Sequence, residues 1–200
     1  ERERERESNY IIRLNKKHAK IVRNIKGIGI LIAILYGISI IDLIVPFKIN
    51  AYGIIPRTQS GLIGIFTSPF LHGGFYHLIS NSIPLFVLLL TLSVFYEKRW
   101  IPVVAIIILV GGGLTWLFAG YGNHIGASGV IYGLAGFLIS NGIIEKNIKS
   151  ILIAIVVAIL YGGLIFGVLP TNRLISWEGH LFGAFGGVLA AFSLRKKVVN

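Results

Sequence analysis

The chain of 200 residues contains no cysteine, so a disulfide framework and thiolate chemistry are both excluded, and the redox compartment stays open. It also contains no methionine, although natural chains start with one and membrane helices commonly use it. A trimmed or altered chain is therefore expected, and the opening run Glu1-Arg2-Glu3-Arg4-Glu5-Arg6-Glu7 points the same way. Acid is scarce: eight Asp and Glu stand against 19 Lys and Arg. Only 14% of residues are charged, while 54% are hydrophobic and the mean hydropathy is +0.79. Such a composition is too apolar for an ordinary soluble domain and indicates an integral membrane protein.

Six apolar stretches are long enough, or nearly so, to cross a hydrocarbon core of about 30 Å. They run over residues 27–47, 75–96, 101–120, 128–143, 151–169 and 177–194. Since backbone polar groups in lipid must be satisfied within the segment, each is predicted to be a helix, giving an all-α, six-helix bundle. The fourth is short and is expected to start beneath the membrane surface, its first residues lining a polar cavity. Residues 1–26 read as a solvated charged leader, 27–194 as the membrane domain and 195–200 as a basic tail. The first apolar segment is too long, and too poor in a small-residue cleavage site, for a secretory signal peptide.

Charge gives the orientation. Nine Lys and Arg precede the first span, two follow the second, two the fourth and three the sixth. The intervening loops hold two, none and one. The positive-inside rule then makes both termini cytoplasmic, in what is expected to be a prokaryotic cell membrane. A net charge of +11 follows from that asymmetry, so nucleic acid is not needed to explain it. The basic leader, with Arg13, Lys16, Lys17, Lys20, Arg23 and Lys26, suits anionic lipid head groups instead.

In this topology spans two, four and six all begin on the outer side. Span two brings His77 and Asn81, four residues apart on one helical face; span four brings Ser128, with Tyr132 one turn deeper; span six brings His180. Polar groups inside a membrane cost free energy, so their convergence at one depth calls for a functional explanation. Gly129, Gly133 and Gly136, with Gly179, Gly183, Gly186 and Gly187, form small-residue faces that let helices four and six approach closely. If those faces meet, Ser128 and His180 come within hydrogen-bond reach.

A serine hydroxyl needs a base at about 3 Å to become a nucleophile, and His180 can fill that role. Glu178 lies roughly 200° round the helix from His180, and Asp42 sits on another span, so a Ser-His dyad is expected rather than a triad. The Ser128 backbone N–H, the Asn81 amide and the His77 imidazole are candidate donors to an oxyanion. Alone, each residue has a plainer role: Ser128 as a helix cap, His180 as a core histidine, Asn81 as interhelical glue, His77 as an interfacial residue and Tyr132 as core packing. Asn123, His124, Thr171, Asn172 and Ser176 are placed by sequence in the flanking loops, where they could keep the mouth of the site wet. His72, His77 and His124 lack the H-E-x-x-H spacing of a zinc protease, and no metal or other cofactor is expected. Paired broken helices of the transporter type are not evident, Asp42 being the only intramembrane acid of note.

Three ordered motifs resemble those of the rhomboid intramembrane serine proteases. They are Phe70-Leu71-His72-Gly73-Gly74-Phe75-Tyr76-His77-Leu78-Ile79-Ser80-Asn81, then Gly126-Ala127-Ser128-Gly129 with Tyr132, then Glu178-Gly179-His180-Leu181-Phe182-Gly183 with Gly187. The resemblance covers roughly residues 53–192. It implies Ser128 as nucleophile, His180 as base, His77 and Asn81 with the Ser128 backbone as oxyanion hole, Tyr132 packed on the His180 ring, and His72 tying the outer loop. Gly126 and Gly129 would support the nucleophile. It also implies transmembrane protein substrates, cut near the membrane surface, with small residues at the cut and helix-weakening residues beyond. A rhomboid-like protein that binds transmembrane helices without cutting them is the alternative. Where many members of the family carry a Trp-Arg pair, this chain reads Pro56-Arg57-Thr58-Gln59-Ser60-Gly61, which leaves the seating of the first loop open. The loop with Pro170, Thr171 and Asn172, together with span five, is expected to gate access.

Overall fold

The computed structural model describes residues 2–170 and 176–195. Within them the structure is helical, with no β-strand and a single isolated bridge between Ile54 and His124. Helix α1 runs over Arg2–Ile44, 43 residues in one piece. The charged leader and the first span are thus continuous, where the sequence suggested a boundary at residues 26 and 27. Glu, Arg and Lys are good helix formers, and the alternating charges place opposite signs three residues apart on the helix surface. Glu3 and Glu5 in the first turn favour the positive end of the helix dipole. The leader remains solvated along its length.

The connection after α1 is built from short turns: 3-10 segments at Ile49–Tyr52, Ser60–Leu62 and Ser68–Phe70, and a one-turn helix α2 at Gly64–Thr67. Helix α3 spans Phe75–Phe95. The third apolar stretch is composite, with α4 at Trp100–Ile106, a π-helical turn at Ile107–Gly111 and α5 at Gly112–Phe118. Helix α6 covers Ser128–Glu145, α7 covers Ile148–Tyr161 and continues as a 3-10 segment over Gly162–Val168, and α8 covers Trp177–Ser193. Among the described residues five helices, the third being the composite one, are long and apolar enough to cross a membrane; α8 has 17 residues and is shorter. The protein is an integral membrane protein.

Helix α6 is the axis of the bundle. It is buried on nearly every side, including Tyr132, Leu134, Phe137, Leu138 and Asn141, and it packs against α3, α7, α8 and the π turn. Helix α7 buries only Ser150 and Val157 within its own length and lies at the periphery. The α6–α8 contact depends on glycine. A Cβ on Gly183 or Gly187 would strike the backbone carbonyl of Gly129 or Gly133, and one on Gly136 would stand 2.8 Å from the Ala184 carbonyl. The π turn joins the same seam: a Cβ on Gly111 would stand 3.0 Å from Gly183 Cα. Three helices therefore meet at backbone distance, where dispersion is gained and lipid offers no competing hydrophobic force.

Polar clamps close both ends. At the basic end Arg99, between α3 and α4, donates to Glu145 Oε1 at 2.5 Å, to Asn141 Oδ1 at 3.3 Å and to the Leu194 carbonyl at 3.3 Å. Glu145 Oε2 in turn accepts from Ser150 Oγ at 2.8 Å, so the ends of α6, α7 and α8 are tied to one guanidinium. At the other end Arg57, in the left-handed region at φ 57°, donates to the carbonyls of Leu117 and Ala119 at 3.2 and 2.8 Å, capping α5. Trp116 returns the contact through Nε1 to the Thr58 carbonyl at 2.8 Å. A single arginine and a tryptophan from α5 thus seat the first loop in this chain.

Gly187→Ala is expected to lower stability by about 1–3 kcal/mol, because the added methyl forces α6 and α8 apart. Gly113→Ala, where a Cβ meets nothing within 4 Å, should leave stability unchanged or slightly raised. Thermal unfolding of both variants in the same detergent checks the pair; equal Tm values would remove the glycine seam from the account.

Candidate active site

Ser128 is the first residue of α6, preceded by Gly126 at φ +118°, a conformation that L side chains avoid. Gly126 is further fixed by its N–H to the Ser68 carbonyl at 2.9 Å. A Cβ there would come within 2.6 Å of the His77 ring, so the glycine is what lets His77 lie against the turn leading into Ser128. The serine hydroxyl stands at the positive end of the α6 dipole.

Across the seam, His180 Nε2 lies 2.8 Å from Ser128 Oγ. Its other ring nitrogen, Nδ1, lies 2.8 Å from the carbonyl of Gly167. A carbonyl can only accept, so Nδ1 carries the proton of the neutral ring and Nε2 is left to accept the Ser128 O–H. The Tyr132 ring stacks on the imidazole with centroids 4.1 Å apart and planes inclined by 7°. His180 is thus held by a carbonyl at one edge, an aromatic face and the serine. Gly167 has to be glycine for this to close, since a Cβ would collide with the Tyr132 hydroxyl and stand 3.2 Å from His180 Nδ1. No side-chain signal marks a backbone acceptor, and sequence reasoning missed Gly167.

The carboxylates lie elsewhere. Glu178 Oε1 accepts from the Gly120 N–H at 3.1 Å. Asp42 accepts from Asn50, through N at 3.1 Å and Nδ2 at 2.8 Å, and Asn50 Nδ2 also reaches the His72 carbonyl at 2.9 Å. Asp42 therefore organises the first loop beside His72. Asn81 is buried and donates through Nδ2 to the His77 carbonyl at 2.8 Å, leaving the second hydrogen of its amide available. His77 meets His72 edge-on, with ring centroids 5.1 Å apart.

Of the residues expected to wet the mouth, Asn123 donates to the Asn50 carbonyl at 2.6 Å, and His124 contacts Ser176 Oγ at 2.5 Å and the Gly120 carbonyl at 3.1 Å. They act as ties between loops. Thr171 and Asn172 lie outside the described residues, as does most of the loop expected to gate access. A cavity of about 50 Å³ borders Ser128, with Ser68, Thr115, His124 and Ser176 in its lining. A buried water needs roughly 10–15 Å³ of such space and two to four polar partners, so the cavity has room for water beside the hydroxyl. Among the described residues, no three His or acidic side chains converge as metal ligands.

A family model described as the Rhomboid domain matches residues 59–197. The chain belongs to the rhomboid family. The rhomboid is 37% identical over 172 residues to an uncharacterized protein of Mycobacterium tuberculosis, covering 82% of this chain and 72% of that one. It is equally similar to an uncharacterized protein of Mycobacterium leprae, over 179 residues, 84% of this chain and 71% of the other. A protein of Bacillus subtilis named "Putative rhomboid protease YdcA" is 32% identical over 140 residues, 64% of this chain and 65% of its own length.

His72 lies in the turn before α3, outside the spanning helices. Burial is the main cause, and the neighbouring His77 the second, of a pKa lowered from 6.5 to about 4, with the Phe70 backbone opposing them in part. The folded rhomboid therefore binds this proton less readily than the unfolded chain. Stability contributed by neutral His72 is present above pH 6.5 and is lost as pH falls toward about 4. Melting curves across that window should show Tm falling with pH in the parent and a shallower slope in His72→Phe. Identical slopes would assign the acid sensitivity to other groups.

Proposed function

We propose that this rhomboid is an intramembrane serine endopeptidase that cleaves transmembrane segments of other membrane proteins. The observation that carries the reading is the 2.8 Å contact between Ser128 Oγ and His180 Nε2, with His180 Nδ1 committed to Gly167. Ser128 Oγ attacks the scissile carbonyl as its proton passes to His180 Nε2. The resulting imidazolium is steadied by the Gly167 carbonyl at Nδ1 and by the face of Tyr132, so no carboxylate is required. The oxyanion is received by the Ser128 backbone N–H, the second amide hydrogen of Asn81 and the His77 ring. His180 then returns its proton to the departing amine as the C–N bond breaks. Water from the cavity beside Ser128, deprotonated by His180, attacks the acyl group and releases the serine.

Helix α8 is the sixth span in this reading, its 17 residues starting below the surface as α6 does. The basic residues of α1, Lys98, Arg99, Lys146 and Arg195 collect at one end of the bundle, and Ser128 lies toward the other. Both termini are then cytoplasmic and the site opens to the opposite side.

Incubation with a tagged transmembrane substrate in detergent should give a cut that Ser128→Ala and His180→Ala both abolish. A fluorophosphonate should label the parent and not Ser128→Ala. Cutting that survives Ser128→Ala would overturn the dyad; a folded parent that neither cuts nor labels would make it a helix-binding rhomboid without activity.

The oxyanion assignment has its own test. Asn81→Ala should reduce kcat by about 100- to 1000-fold with KM little changed. A rise in KM alone would make Asn81 a packing residue.

A further inference from the structure

A second space, larger than the one beside Ser128, lies elsewhere among the described residues. A cleft of about 480 Å³ opens between α1 and α4, because α1 packs on α3 and on the turns of the first loop and leaves the third span uncovered. Its walls are apolar, with Leu31 and Leu35 from α1, Leu85 and Leu89 from α3, and Val104 and Ile108 opposite. The roof is Phe70 and Ala127, the residue before Ser128. Polar groups gather at the basic end, where Arg23, Asn24 and Trp100 frame the mouth.

An apolar space of this size does not stay empty in a membrane, since its lining would forgo dispersion contacts on one side. From Arg23 to Leu35 the cleft runs about 18 Å along α1. Apolar along its walls and polar only at its mouth, the cleft has the layout of a single lipid, with a hydrocarbon chain inside and a head group at the end. The mouth selects charge. Lys20, one turn before Arg23, is paired with Glu97, whereas Arg23 is exposed and has no carboxylate partner among the described residues. Asn24 makes one long contact, to the Ser93 carbonyl at 3.5 Å. A guanidinium, an amide and a half-buried indole at the membrane interface together suit a phosphate and its ester oxygens.

We propose that this cleft seats one anionic glycerophospholipid, with an acyl chain between α1 and α4 and the phosphate on Arg23 and Asn24. The lipid comes from the leaflet at the basic end, cytoplasmic in the orientation given above, although its binding in detergent is independent of that orientation and of any peptidase activity. Its tail tip lies against Ala127, so the lipid completes the packing beneath the start of α6.

Native mass spectrometry of the full chain tests this, after addition of equal amounts of palmitoyl-oleoyl phosphatidylglycerol and phosphatidylcholine. The parent should retain one phosphatidylglycerol with a preference of roughly tenfold, as expected for one charge-assisted contact. Arg23→Gln should bring the preference to near unity. Gly27 lines the mouth, and a Cβ there meets nothing within 4 Å, so Gly27→Leu fills the cleft while improving helix propensity. It should lower retention of both lipids roughly tenfold with Tm maintained. Equal retention of the two lipids by the parent, or undiminished retention in Gly27→Leu, would overturn the proposal. Displacement of the lipid by a transmembrane peptide that Gly27→Leu also blocks would reassign the cleft to a helix.

Discussion

Backbone-to-backbone contact between α6 and α8 is the constraint on which the rest of the structure depends. Gly129, Gly133, Gly183 and Gly187 carry no side chains into the seam, so the two helices approach until a carbonyl of one lies where a methyl of the other would be. Ser128 and His180 sit at one end of that seam, and their 2.8 Å separation is set by it. A hydrogen bond between two side chains could not by itself hold two membrane helices at this distance. It is a small term beside the dispersion gained along several turns. The geometry of the site is thus inherited from packing, and the glycines matter to it as much as the serine.

The same logic explains why the histidine has no acid behind it. A carboxylate at Nδ1 would be an additional buried charge in a medium that solvates it poorly, and it would need its own partners. The Gly167 carbonyl fixes the tautomer without that cost. Gly167 sits in the 3-10 segment after α7, and the loosening of the helix there frees a carbonyl from the intrahelical ladder. The two intramembrane-side acids that could have served are occupied, Glu178 at Gly120 and Asp42 at Asn50. Each holds a loop.

Much of this was legible in the sequence, for identifiable reasons. Apolar length marks helices in lipid, glycine spacing marks close faces, and polar side chains inside apolar runs are few enough to be read singly. What escaped was carried by backbone groups and by contacts distant along the chain. The π turn at Ile107–Gly111 has no composition of its own beyond the glycines that follow. Arg57 and Asn123 read as ordinary loop residues, yet their partners lie far away in sequence: Arg57 reaches the carbonyls of Leu117 and Ala119, and Asn123 that of Asn50. The helical form of the leader escaped for a different reason. Mixed charge without apolar residues argues against a buried core, but it does not argue against a solvated helix when the residues are Glu, Arg and Lys.

The division of the bundle follows from where its buried glycines are. Helices α6 and α8 and the π turn meet through glycine and form a rigid unit around the site, while α1 brings Gly27, Gly29 and Gly37, none of which touches a neighbouring element. Those glycines face open space, and α1 accordingly leaves a wide cleft beside the third span. A helix that packs through side chains on α3 and the first loop stands away from the third span, and in a bilayer such a gap is open to lipid. The first span is therefore the part of the fold whose packing depends on the membrane around it, whereas the geometry of Ser128 and His180 is set within the protein.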